Sequence, residues 1–146
     1  MTATADESVF AAENVFGKGE PNTAYARYFT GDSFLRNLVT DPECAVGVHN
    51  VTFEPGCRNN WHIHHATSGG GQMLICVGGR GWYQEWGKAP VEMTPGSVVN
   101  IPANTKHWHG AASDSWFSHL AIEVPGVNCG TEWLESVTDE EYGKAQ

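Results

Sequence analysis

An all-β fold, either a sandwich or a small barrel, is what this sequence of 146 residues predicts, and three observations carry the prediction. Short segments rich in β-branched and aromatic residues recur through the middle of the chain. Gly, Pro, Asn and Asp punctuate them at regular intervals. His62 and His64 stand at i and i+2, a spacing that puts two side chains on one face of a strand. A helical pair would need i and i+4.

From the N-terminus, residues 1–24 are expected to form an extended arm, because the first twenty or so are polar, acidic and contain glycine. An extended segment at 25–29 then opens the barrel, which is expected to span 25–125. Strands are predicted at 46–54, 72–77, 81–86, 90–93, 98–101, 106–110 and 116–124. Pro55-Gly56, Gly78-Gly79, Gly87-Lys88 and Pro95-Gly96 supply turns between them. Residues 126–146 form the expected helical tail. Within it 131–142 reads as one or two short helices, and Thr138 and Glu141 are spaced as a capping box. Arg58 and Glu54 are placed to pair across the turn before His62.

The length suits one domain with a core large enough to be stable unaided. A net charge of -9 and only eight Lys and Arg, scattered along the chain, argue against nucleic acid or an anionic membrane as partner. There is no bilayer-length apolar run, and residues 1–7 lack the basic and apolar regions of a secretory signal, so a cytoplasmic protein is expected. Cys44, Cys57, Cys76 and Cys129 form no CxxC pair and read as four free thiols, with Cys76 a small buried hydrophobe. Trp61, Trp108 and Trp116 alternate with inward positions and read as sheet-packing or subunit-interface residues. Six tryptophans in a small acidic chain lead us to expect a homodimer or homotetramer.

The chemistry is concentrated in the histidines. His62, His64, Gln72 and His107 are the candidate metal ligands, lying on two neighbouring hairpins. Manganese or iron suits the mixed nitrogen and oxygen donors, with nickel, cobalt and zinc as further candidates. His65 should point away from its neighbours as a solvated loop residue. His109 shares a face with His107, and His49 shares one with Val51. His119 and Glu123 share the face opposite Leu120 and Ile122, which would place both in the pocket wall. His119, His49, His109 and Glu123 are therefore the candidate catalytic residues, since imidazoles titrate near neutrality and suit proton transfer.

These residues also carry a resemblance. Gly56, five residues, His62-x-His64, then Gln72, six residues and Gly79 resembles the first cupin motif. Gly96, five residues and Pro102-x-Asn104-x-x-His107 resembles the second. Stretches at 51–64, 106–112, 118–122 and 137–142 are similar to the small bacterial manganese-dependent cupin hydroxynitrile lyases. The resemblance covers about 46–124 and implies a double-stranded β-helix, a jelly-roll barrel, with a divalent metal in its mouth. It also implies that His119 is an active-site histidine.

Two departures from the general cupin pattern stand out. Gln72 replaces the usual Glu, so the donor set is uncharged and the ion a stronger Lewis acid. Seven residues, 65–71, separate His64 from Gln72 where the motif has fewer, a detour the glycines permit. The expected function is that of a metal-dependent lyase acting on a small hydroxy or carbonyl substrate. His119 or His49 would remove the hydroxyl proton, and His109 or Glu123 would orient the substrate. The alternatives are an iron-dependent cupin dioxygenase and a non-catalytic metal- or small-molecule-binding cupin.

Overall fold

In the computed structural model, which describes residues 3–146, two antiparallel sheets face each other around one core. The six-stranded sheet runs Glu20–Pro21, Ser33–Asn37, Gly47–Phe53, Phe117–Glu123, Gln72–Gly79 and Val98–Ile101. The other is built on Val91–Met93, Gly81–Glu85, His107–Ala111, Arg58–Asn59 and Phe29–Thr30. His62–His65 joins it by pairing with both His107–Ala111 and Gly130–Trp133. Each of the seven expected barrel strands forms, with its ends within two residues of those read from the sequence. The jelly-roll barrel is therefore the observed fold.

Strand alternation explains the core. Phe53, Leu74, Cys76 and Phe117 from the first sheet meet Tyr83, Met93 and Ala111 from the second, all buried. The opposite face of the second sheet presents Trp61, Trp82 and Trp108, and the chain's own tail covers them through Val137 and Tyr142. Trp116 is covered likewise, since Phe10 stacks on it at 5.8 Å. These tryptophans thus serve packing within the chain. The four cysteines are free, with Cys57 and Cys76 buried. No helix among the described residues is long and apolar enough to cross a membrane.

Three local expectations are corrected. The arm is not wholly extended, because Glu7–Glu13 is a helix whose N-cap, Asp6, accepts from the amides of Ser8 and Val9. One buried apolar residue, Phe10, ties it down, too faint a pattern to show in a polar segment. Residues 130–133 form a strand instead of a helix, since pairing with His62–His65 overrides local preference. Only Asp139–Ala145 is helical there, and it carries the expected Thr138–Glu141 capping box. Arg58 does not pair with Glu54. Its guanidinium donates to the Val137 carbonyl at 3.0 Å and to Asp139 at 2.7 Å, clamping the tail. Glu54 instead accepts from the Asp32 amide.

Gly79 closes the Gln72–Gly79 strand with φ 68°, and an added Cβ there would overlap the Trp116 carbonyl oxygen. Gly79→Ala is therefore expected to cost more than about 2 kcal/mol, from both strain and collision. Guanidinium unfolding measures this, and a loss below about 0.5 kcal/mol would contradict the geometry.

Candidate metal centre

His62 and His107 are direct partners across two paired strands, and His64 lies two residues along on the same face as His62. Their ligand nitrogens all lie within 4.8 Å of one another. Two loops hold this meeting in place. The Asn104 amide donates to the His64 carbonyl at 2.8 Å, and its side chain both accepts from and donates to the Ala66 backbone. The second hairpin is thereby tied to the first just beside their histidines. Asn104 takes φ 67°, a conformation Asn tolerates better than most residues.

The hydrogen bonds settle which nitrogen is available. His62 donates through Nδ1 to the Asn60 carbonyl at 2.8 Å, and His107 through Nδ1 to the Thr105 carbonyl at 2.9 Å. A carbonyl can only accept, so each Nδ1 carries the proton and each Nε2 keeps its lone pair. His64 Nδ1 is 3.1 Å from the Thr131 hydroxyl. Gln72 donates through Nε2 to Glu123 at 3.0 Å, its direct neighbour on the adjacent strand, which fixes the amide and leaves Oε1 free. The Gln72 side chain lies beside the His64 ring in the same pocket lining.

His64 Nε2, His107 Nε2 and Gln72 Oε1 are all buried without a hydrogen-bond partner. Three orphaned acceptors in one place would be costly, and a cation is what satisfies acceptors alone. Burial lowers the basicity of all three histidines, His107 to about 4 and His62 well below its ordinary 6.5. They are unprotonated at neutral pH, as ligands must be. These three histidines could hold a divalent metal ion, and the residues present fit that group.

A cavity of about 240 Å³ opens at this point. His62, His64 and Gln72 form its polar end, and Tyr25, Phe29 and Trp133 its aromatic side. Trp133 stacks on His62 at 4.6 Å, and Tyr28 stacks behind Trp133 at 4.5 Å. The sequence pattern places Trp133 in a helix and 25–29 in an extended segment, so this aromatic wall does not emerge from it. Two tyrosines and a phenylalanine within residues 25–29 are the available signal.

His49, His109 and Glu123 line the cavity. His119 does not. Strand parity holds, since Ala121 and Glu123 on its face reach the wall, but His119 is fully buried behind His109. Its Nε2 lies 2.9 Å from His109 Nδ1, and Phe53 and Phe117 enclose it with ring centroids at 5.4 Å. Burial lowers its basicity to about 4. His109 falls well below 6.5, first through burial and then through His119. Asn59 grips His109 by accepting from its backbone amide at 3.0 Å and placing its own amide 3.2 Å from the ring. Glu123 is committed to Gln72, and His65 lies outside the site, exposed and paired with Glu132.

Comparison with known proteins agrees with this architecture. The cupin domain family matches residues 49–123. An (R)-mandelonitrile lyase from Granulicella tundricola is 43% identical over 118 residues, covering 80% of this chain and 87% of that protein. The crystal structure of a cupin-like protein from Thermotoga maritima is 40% identical, with a TM-score of 0.77 over 90% of this chain and 96% of that one. A cupin-2 domain from Rhodospirillum rubrum, 16% identical with a TM-score of 0.61 over 80% of this chain and 72% of that one, shares the fold.

Two outcomes follow from the geometry. His107→Ala should lower metal affinity at least about tenfold in a protein that stays folded, read by elemental analysis beside circular dichroism. Full retention of metal would remove His107 from the site. The metal-free protein should also lose stability on acidification. His107 and His119 have folded values near 4, below the 6.5 of the free side chain, so the unfolded chain binds more protons as pH falls. Stability is whole above pH 6.5 and declines from there to about 4, by up to about 3 kcal/mol per group. Urea midpoints that stay level across that window would contradict it.

Proposed function

Because this chain belongs to the cupin family, we propose that its pocket is the active site of a metal-dependent lyase cleaving a small hydroxynitrile to a carbonyl compound and hydrogen cyanide. The observation that carries the reading is the stacked order of neutral groups: orphaned acceptors at the metal position, His109 beside them in the wall, and His119 behind His109. The relative named as a mandelonitrile lyase supports the choice of reaction.

His62, His64, Gln72 and His107 would hold a divalent ion, and the nitrogen and oxygen donors favour manganese or iron. When bound, it supplies Lewis-acid polarisation of a substrate oxygen. The remaining work falls to this chain's side chains. His109 takes the hydroxyl proton as the carbon–carbon bond breaks and the electron pair departs with cyanide. The same proton then passes to cyanide, so the reaction ends with no net charge. His119, sealed from the cavity, acts through His109 by sharing its hydrogen bond and spreading the transient positive charge. This reverses the sequence expectation, in which His119 met the substrate directly.

Asn59 fixes the His109 ring. Glu123 is a positioning residue, holding the Gln72 amide in the orientation that turns its oxygen inward. His49, on the wall contributed by Gly47–Phe53, is placed to meet the nitrile. Tyr25, Phe29 and Trp133 provide a stacking surface for an aromatic substituent. A volume of about 240 Å³ is less than the ~300–1,000 Å³ of sites for drug-sized ligands, which limits the substrate to a small molecule.

The test is cleavage of mandelonitrile by metal-loaded protein under strictly anaerobic conditions, followed as benzaldehyde formation. Turnover that survives anaerobiosis and disappears on chelation is the expected result, and an absolute need for oxygen would sink the lyase reading. His109→Ala should lower kcat/KM at least about a hundredfold while leaving metal content unchanged.

A further inference from the structure

The seven residues between His64 and Gln72 do more than bridge the ligands. Ser68–Gly69 pairs with Gly126–Val127, and Gly69, Gly70 and Gly71 take φ of 62°, 76° and 90°. The chain turns inward here too closely for side chains. A Cβ on Gly70 would come within 2.6 Å of the Ala66 side chain, and one on Gly71 would press on the Ile101 carbonyl. Beside this ribbon and the Gly130–Trp133 strand lies a second cavity of about 450 Å³, larger than the first.

The two cavities share three residues, His64, Glu123 and Thr131. The partition between them includes two side-chain hydrogen bonds, His64 to Thr131 and Gln72 to Glu123. Thr131 is exposed, and rotating its hydroxyl breaks one of those bonds without disturbing any backbone pairing.

Their linings differ in kind. The metal cavity offers Tyr25, Phe29 and Trp133, whereas among the described residues the second wall carries no Phe, Tyr or Trp. It is made of small residues such as Ala45 and Gly130, with polar groups at the partition and His65, exposed and paired with Glu132, on its wall. An aromatic substrate finds no stacking surface there, and the Glu123 carboxylate repels an anion. What remains suited to it is a small, neutral, hydrogen-bonding molecule.

We infer that the second cavity is a separate port, through which a small neutral polar molecule reaches or leaves His64 while the organic substrate fills the aromatic mouth. That this molecule is hydrogen cyanide rests on the lyase reading; the port itself does not. Cleavage of a hydroxynitrile releases two products of unlike size, and near neutral pH cyanide is carried as the uncharged acid. A second opening lets the small product depart before the carbonyl compound does.

The port can be plugged in two ways. Gly130→Phe adds its side chain where a Cβ meets nothing within 4 Å. Separately, in a Cys44→Ser background, N-benzylmaleimide can be attached to Cys129, an exposed thiol on the cavity wall. The probes are hydrogen cyanide at pH 7 and benzyl alcohol, each followed through the visible spectrum of cobalt-loaded protein, with no turnover required. With benzyl alcohol already bound, both plugs should slow cyanide binding at least tenfold and change benzyl alcohol affinity less than twofold. Cyanide rates within twofold of the unplugged protein, or equal loss of both ligands, would overturn the port. Wild-type protein that binds both probes by separate routes yet leaves mandelonitrile intact would count against the lyase reading alone.

Discussion

The structure depends on one constraint: every candidate ligand has its other polar atom committed elsewhere. His62 and His107 spend Nδ1 on backbone carbonyls, His64 bonds Thr131, and Gln72 spends its amide nitrogen on Glu123. What is left pointing inward are acceptors with nothing to accept from. Such an arrangement is unfavourable in a dry pocket and becomes favourable when a cation sits among them. None of the candidate ligands is anionic, so a cation held there would keep its charge uncompensated, and the proposed reaction draws its Lewis acidity from that.

The rest of the fold can be understood as holding those commitments in register. His62–His65 pairs on one side with the hairpin that carries His107 and on the other with Gly130–Trp133, which supplies both Thr131 and Trp133. The tail after that strand is clamped by Arg58 and capped by Thr138, so its helix lies over Trp108 and Trp61 on the far face of the same sheet. Packing on one face thus stiffens the ligands on the other. Gln72 and Glu123 are neighbours within the opposite sheet, so the two halves of the barrel meet where the Gln72 side chain and the histidines of the facing sheet line one pocket.

Much of this was legible in the sequence because it is local. Strand parity alone pairs His62 with His64 and His107 with His109, and the glycine and proline turns mark the barrel strands. The resemblance to the cupin motifs added the convergence of the two hairpins. What could not be read was depth. His119 has the parity of a pocket residue, yet it is buried because His109, from the facing sheet, lies over it. Trp133 and Arg58 escaped for a related reason, since their partners lie 71 and 81 positions away, at His62 and Asp139. No window along the chain contains such pairs.

The central claim is that four uncharged side chains receive one divalent ion. Titrating the metal-free protein with manganese in a calorimeter at pH 7, in several buffers of different ionisation enthalpy, tests it most directly. Neutral imidazoles and an amide have no proton to give up, so one equivalent should bind with the same enthalpy in every buffer. Release of about one proton or more per ion, or the absence of saturable binding, would contradict the account.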